Sequence, residues 1–449
     1  MNPFSMKKTL LILCLILSLT LLIGCRPLDE NPAQIPEGAV DATAHGVSTE
    51  NDGAQNSLAL QALIDSLSAE GGTVYIPAGE YVFAANGTQT IGAHCIRMRS
   101  DVSIVGDGDA TVLKPTGDSY YGLDMFYFND YLDTGNAVYL RNCRFESFTI
   151  DAADTSCAYY TSAGKGFMFN LFENCHWKKV TVKHTDATGF GVDCPIGSTI
   201  SECAAIDCGK AATAENTGAS GFGIGFGYSE NESLTITDCR ADGNAKFGFF
   251  FEHQGRFNDE KYSAVPKEFF KITNCVAKGN LFGFGGVCAQ NTIYENCRSE
   301  DSLRYGFLFK DSRNATAVGC VSENDGEAAF AILQTAVNGN FEVKDVSFIE
   351  CAAKDSKIGV SIVSENPSAF MGGNRVEGCT FERIPLSVYT AGTMHSLTLS
   401  DNTADTGETR FLAETEDFKN TGNSWNPIET DSAQTKNKDK KGNNKNDQP

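Results

Sequence analysis

From residue 139 onward, hydrophobic and polar positions return in one short pattern. Segments such as "TITDCRADGN" (235–244), "KITNCVAKGN" (271–280) and "IYENCRSEDS" (293–302) alternate apolar and polar side chains up to a polar residue and a Cys, then resume. Nine cysteines carry the pattern, Cys143, Cys175, Cys203, Cys239, Cys275, Cys297, Cys320, Cys351 and Cys379, at separations of 22 to 36 residues. Asn, Asp, Glu or Gly precedes each one. Alternation predicts half-buried strands, and Asn or Gly between them suits a corner in left-handed backbone. A further apolar strand follows: "GFGVD" (189–193), "GIGFG" (223–227), "GFFFE" (248–252), "GFGGV" (283–287), "GFLFK" (306–310), "AFAIL" (329–333) and "GVSIV" (359–363). Each repeat therefore reads as a short strand, a corner, a Cys-bearing strand, a turn and a third strand. Near the N-terminus the period changes, and the stripe Leu60, Leu63, Ile64 and Leu67 predicts a helix over Ser57–Leu67.

Strands this short do not pack alone, but copies of them stack. The minimum period, 22–23 residues, matches one coil of an all-β solenoid, a single-stranded right-handed parallel β-helix. Longer intervals are loop insertions, and the helix caps the open N-terminal end of the stacked sheet. The β-helix domain is assigned to 40–427, after a linker at 25–39 and before a polar tail at 428–449, whose "TKNKDKKGNNKNDQP" (435–449) has nothing to bury. Stacked cysteines form an inner column about 4.8 Å apart and pack as small apolar groups. That spacing is within disulfide reach, yet nine equivalent partners compete, so a mostly reduced column is expected. Neither C-x-x-C pairs nor His residues accompany it, so no metal site is assigned there.

Charge and the N-terminus change the picture next. The chain has 57 acidic against 36 basic residues, a net charge of −21, which excludes nucleic acid as a partner. A polyanionic substrate is repelled overall unless a local basic patch or a bound cation offsets the field. Lys7 and Lys8 precede an apolar run from Leu10 to Ile23 that closes on Gly24-Cys25, the layout of a secretory signal and too short for a spanning helix. Met1 and Met6 serve equally as its start. This ending resembles the lipobox of bacterial lipoproteins. The resemblance implies a signal peptide over 1–24, lipid attachment at Cys25, and an exported chain anchored to the extracytoplasmic face of the cell membrane; a monomer is expected.

The segment "VDATAHGVSTENDGAQNSLALQALIDSLSAEGGTVYIPAGEYVF" (40–83), with its "GGTVYIPAGEY" (71–81), resembles the opening of pectate-lyase-like β-helix proteins of the rhamnogalacturonase/epimerase type. "MRSDVSIVGDGDATVLK" (98–114) is similar to the first full coil of that group, and the likeness extends at repeat level to about residue 405. It implies a polysaccharide partner. Within the superfamily, "TGFGVDCPIGSTISECAAIDCG" (188–209) is similar to the mannuronan C5-epimerase coil that carries an Asp-Pro-His triplet. Asp193 matches the Asp, but Cys194-Pro195 departs from the pattern and the His is missing. Gly-His-Gly and Arg-Ile-Lys, expected of polygalacturonases, occur nowhere. Nor does any segment clearly reproduce the pectate-lyase calcium cluster. No cofactor is assigned, and Ca2+ is the one ion left open.

Alternation within the third strand points positions two and four inward: Phe190/Val192, Ile224/Phe226, Phe249/Phe251 and Phe307/Phe309. Positions three and five point outward, and position six adds Cys194, Tyr228, His253, Cys288 and Asp311. Successive coils then present a glycine-floored strip edged by charged and polar residues. Its expected catalytic groups are Asp193, Glu252, His253 and Lys310, with Tyr228, Gln254, Arg256 and Asp311 as substrate contacts. Asp193 and Glu252 fall two coils apart, about 9–10 Å at the backbone, a spacing that suits an inverting acid/base pair. A Lys or His beside Glu252 also suits proton abstraction next to a uronate carboxyl. Insertions at 209–221 and 255–268 would wall the cleft. Two functions stay open: a glycoside hydrolase or polysaccharide lyase, and a non-catalytic glycan-binding or adhesin-like lipoprotein.

Overall fold

The computed structural model describes residues 35–86, 93–130, 134–160, 163–213, 219–257, 260–339, 341–405 and 407–425, with backbone alone at 256–257. The signal segment, Cys25, nearly all of the linker and the polar tail lie outside the described residues. The coils form one unit that opens at Glu37.

The coils stack as a parallel β-helix. Strand pairs such as Leu234–Thr237 on Phe270–Thr273, and Val276–Lys278 on Arg298–Glu300, are parallel and join residues one coil apart. A 26-stranded sheet holds the strands on either side of each Cys corner, and a 13-stranded sheet holds the third strands. In the latter, strands run from Ala93–Arg97 through Phe190–Ile196, Phe222–Phe226, Phe247–His253, Phe282–Val287 and Tyr305–Lys310 to Glu408–Phe411.

Inward positions of this sheet build a column of rings. Phe126, Phe167, Phe190, Phe222, Phe249, Phe284, Phe307 and Phe330 stack in sequence with centroids 4.6–5.4 Å apart. Each ring is fully buried, and each stacked pair adds about 0.5–1.5 kcal/mol beyond its area burial. The same column corrects one register. Phe222, and not Ile224, stands between Phe190 and Phe249, because stacking the rings keeps the aromatic layer continuous. "GIGFG" is therefore displaced by two residues from the expected alignment, and Gly225 takes the place expected of Gly227.

At each Cys corner the preceding residue adopts left-handed backbone, from Asn142 (φ 55°) and Asn174 (φ 52°) to Glu202 (φ 53°), Asp238 (φ 53°) and Glu350 (φ 51°). Each Cys belongs to the corner itself, and its strand begins one residue later, as Val276–Lys278 does after Cys275. The thiols donate to backbone carbonyls, as Cys297 Sγ does to Ile272 O (3.4 Å) and Cys351 Sγ to Ala317 O (3.4 Å). Among the described residues the cysteines form no disulfide with one another and, apart from Cys157, are buried. Burial raises thiols such as Cys320 and Cys351 and makes them poor nucleophiles.

A second inner ladder satisfies amides at the next corner. Asn244 Oδ1 accepts from Cys208 N (3.0 Å), Asn280 Oδ1 from Asn244 N (2.9 Å), and Asp325 Oδ1 from Ser302 N (2.7 Å). Asp325 also accepts from the hydroxyls of Ser299 and Ser322. The helix begins at Gly53, four residues before the expected start, and runs to Leu67. A capping box between Asp52 and Gln55 sets that start, each side chain accepting the other's backbone N–H. Leu60, Leu63 and Ile64 are buried, while Asn56 and Ser57 tie the helix to Val82 O and Ala84 O.

Burial pushes the Asp325 carboxyl up to about 6, against the partly compensating bonds from Ser322, Ser302 and Ser299. Its unfolded value is about 3.9, so folding takes up a proton between these values. Its stabilising contribution is complete below about pH 4 and is lost as pH rises through about 6. Asp325→Asn keeps the ladder acceptor and should remove a slope on the order of 2–3 kcal/mol. Urea midpoints of parent and variant from pH 4 to 7 check this; the difference isolates Asp325 from Asp124 and Glu232, which burial also raises.

Candidate functional site

The outward row at the ends of the third strands reads Asn129, Asn170, Asp193, Gly225, Glu252, Val287, Lys310 and Leu333 in successive coils. Strand registers join Asn170 to Asp193, Gly225 to Glu252, Glu252 to Val287, and Val287 to Lys310. Asp193 and Glu252 thus share one row with the single rung of Gly225 between them.

Asp193 is held from several sides. Its Oδ1 accepts from Gly225 N at 2.6 Å. A methyl group on Gly225 would overlap Gln254 Nε2 and stand 2.7 Å from Asp193 Oδ1, so Gln254 folds back over the glycine beside the carboxylate. A methyl on Gly191 would stand 2.8 Å from Lys165 Nζ, so the lysine of the preceding coil lies across that second glycine. Small residues here are what let long polar side chains lie flat on the sheet. Desolvation raises the Asp193 carboxyl; Lys165 and the Gly225 amide oppose this, and the charge of Glu252 adds to it.

Lys165 is itself placed by a buried acid. Asp124 Oδ1 accepts from Gly164 N (2.9 Å) and Lys165 N (2.7 Å), and burial pushes Asp124 up to about 6. Asn170, level with Asp193, is buried; its Nδ2 reaches Asn129 Oδ1 at 3.5 Å, and its Oδ1 has no hydrogen-bond partner among the described residues. Lys165 and Asn170 were missed because their strand precedes the Cys175 repeat. Its "GKGFMFN" (164–170) nevertheless shows the Gly-Phe-x-Phe signal of the other third strands.

Four expected site residues stand elsewhere. His253 is 4 % exposed; its Nδ1 accepts from Gly255 N and its Nε2 donates to Ala264 O (2.9 Å), so it clasps a loop. Burial lowers its pKa, which keeps the ring neutral. Asp311 is fully buried, and its two oxygens hold Thr335 N, Thr335 Oγ1 and Asn338 Nδ2. The chain enters left-handed backbone at Asp311 (φ 50°), as at Cys194 (φ 57°) and Cys288 (φ 53°). That turn takes position six off the outward strip. Tyr228 lies beyond the end of its strand and packs edge-on against Tyr262 at 6.1 Å. Lys310 keeps the row but stands four coils from Asp193, about 19 Å at the backbone; Lys165 supplies the nearby cation instead. The Arg256 side chain and Cys25 lie outside the described residues. Among the described residues, no group of three or more His, Cys, Asp or Glu is arranged to hold a metal ion.

Two other surface features are present. Tyr120 and Tyr159, 63 % and 60 % exposed, stand 6.4 Å apart and nearly parallel, joined by the short parallel pairing of Gly117–Ser119 with Thr155–Cys157. A cavity of about 510 Å³ lies on the far side of the loop that follows His253.

A family model described as Rhamnogalacturonase A/epimerase, pectate lyase-like, matches residues 46–257. No curated protein sequence matches the chain. Among solved structures, the A-module of Azotobacter vinelandii mannuronan C-5 epimerase AlgE6 is 18 % identical over 86 % of this chain and 99 % of its own, with a TM-score of 0.58. The catalytic domain of a GH87 α-1,3-glucanase in complex with nigerose is 14 % identical over 88 % and 70 %, with a TM-score of 0.59. PfbA, a surface adhesin of Streptococcus pneumoniae, is 12 % identical over 88 % and 96 %, with a TM-score of 0.59. These likenesses show the pectate-lyase-like β-helix fold.

The charges around Asp193 make a direct prediction. Lys165→Met should raise its pKa further, and Glu252→Gln should lower it. Carboxyl ¹³C titration of the Asp-labelled protein measures both, with Asp193→Asn assigning the resonance. Unchanged titration in both variants would break the proposed grouping.

Proposed function

We propose that the chain hydrolyses a polysaccharide laid along the outer face of the 13-stranded sheet, with Asp193 as general acid and Glu252 as general base. The observation that carries this reading is their common row with one intervening glycine rung. Two rungs span about 9–10 Å, close to the ~6.5–9.5 Å of inverting pairs and wider than the ~5–5.5 Å of retaining ones. Desolvation favours a protonated Asp193, which gives its proton to the glycosidic oxygen as the bond to the anomeric carbon breaks. Glu252 takes a proton from the water that attacks the opposite face of that carbon. Lys165 and the Gly225 N–H then stabilise the Asp193 carboxylate left behind. Gln254 beside Asp193 offers a contact to sugar hydroxyls, and the exposed Tyr120–Tyr159 pair offers a stacking face.

A second reading, glycan binding without cleavage, is favoured by that exposed tyrosine pair, which needs no chemistry beside it. We also propose that the coils wind right-handed, the hand that parallel crossovers adopt, and that the helix Gly53–Leu67 closes their N-terminal end. An experimental electron-density map reads both features directly.

Incubation with a glycan panel separates the readings. Hydrolysis yields new reducing ends with inverted anomeric configuration by proton NMR; absorbance of an unsaturated uronate would mean β-elimination instead. Asp193→Asn and Glu252→Gln should each lower turnover about 10²–10⁴-fold without changing the melting curve. Binding with no product from any glycan would leave the second reading. Export and lipid attachment at Cys25 are proposed from the leader. Radiolabelled fatty acid should enter the parent and not Cys25→Ala, and equal labelling of both would defeat the anchor.

A further inference from the structure

The loop after His253 has two sides. Gln254 lies over Gly225 beside Asp193, while Gly255, Tyr262, Ser263 and Val265 turn toward the cavity of about 510 Å³. Gln290, Arg313 and Phe341 line it as well. Gln290 and Arg313 are level in adjacent coils, and Arg313 is level with Lys344 in the next. This is a local basic pair on a chain of net charge −21.

Arg313 is presented rather than consumed. Its guanidinium lies 5.4 Å from the Phe341 ring centroid, a stacking arrangement that holds the plane in place. Its Nε donates to Glu342 O at 3.3 Å, and the nearest carboxylate contact among the described residues is Glu342 at 4.0 Å. Lys344 makes no ion pair among the described residues. Tyr262 and Phe341 bring aromatic rings, Gln290 an amide, and Glu260 an acceptor for hydroxyl groups. Planar guanidinium, rings and hydroxyl acceptors together match one ligand chemistry, a sugar ring bearing a carboxylate.

We propose that this cavity is a subsite for a carboxylate-bearing sugar unit of an acidic polysaccharide, with Arg313 pairing with the carboxylate. The inference rests on the polysaccharide reading above but not on the Asp193–Glu252 chemistry. Isothermal titration of the full chain with tetramers of galacturonate, glucuronate, mannuronate and guluronate, against cellotetraose and maltotetraose, tests it. At least one uronate tetramer should bind, more weakly as salt rises, with both neutral tetramers bound at least tenfold less tightly. Arg313→Gln should weaken binding about tenfold or more, Arg313→Lys less, and Phe341→Leu measurably, each with an unchanged melting curve. Neutral tetramers binding as well as uronates, no uronate binding, or an Arg313→Gln variant that folds and binds like the parent would overturn the subsite. Arg313-dependent binding without cleavage would defeat the hydrolase reading alone, and cleavage unaffected by Arg313→Gln would defeat the subsite alone.

Discussion

Every feature of this molecule depends on parallel, in-register hydrogen bonding between coils about 4.8 Å apart. That spacing brings Phe rings into contact, as in the 4.7 Å pair Phe222–Phe249. It also puts Asn280 Oδ1 within reach of Asn244 N one coil earlier. A side chain on one coil therefore acts on the backbone of the next, and polar groups that would be costly inside a core become part of a ladder. The same rung length sets the separation of Asp193 and Glu252, because Gly225 is the rung between them.

Glycine decides where chemistry lies on this surface. At Gly191 and Gly225 the absent Cβ leaves space that Lys165, Asp193 and Gln254 occupy. Charged groups lie against the sheet, and desolvation and the charge of Glu252 raise the Asp193 carboxyl while Lys165 opposes this. Further along the row Val287 and Leu333 replace glycine and acid, and Lys310 stands there remote from Asp193. The close grouping of Lys165, Asp193, Gln254 and Glu252 is thus confined to a few coils, although the backbone repeats beyond them. The loop after His253 is pinned by the imidazole to Ala264 O, which divides the strip from the cavity lined by Arg313.

The repeat, the corner before each Cys, the inward phenylalanines and the helical stripe were legible in the chain, because strand alternation and helical periodicity are local properties. Glu252 was legible for the same reason: it follows an inward Phe251 and so faces out. Parity within one strand says nothing of the register between strands. Across the 36 residues from Cys203 to Cys239, continuous ring stacking through Phe222 set the alignment and moved Tyr228 off the row. The fate of position six was equally hidden, since left-handed backbone at Asp311 and the loop over His253 turned both side chains to structural work.

The sequence by itself determined a solenoid of short strands with an aromatic interior and an outward row that includes Asp193 and Glu252, because each of these follows from the order of side chains along one strand. Only the tertiary structure decided which groups come together: Lys165 across Gly191, where its charge acts on Asp193, Gln254 over Gly225, and Arg313 against Phe341. These contacts join residues from different coils and loops, and their geometry depends on insertion lengths and stacking that no single repeat encodes.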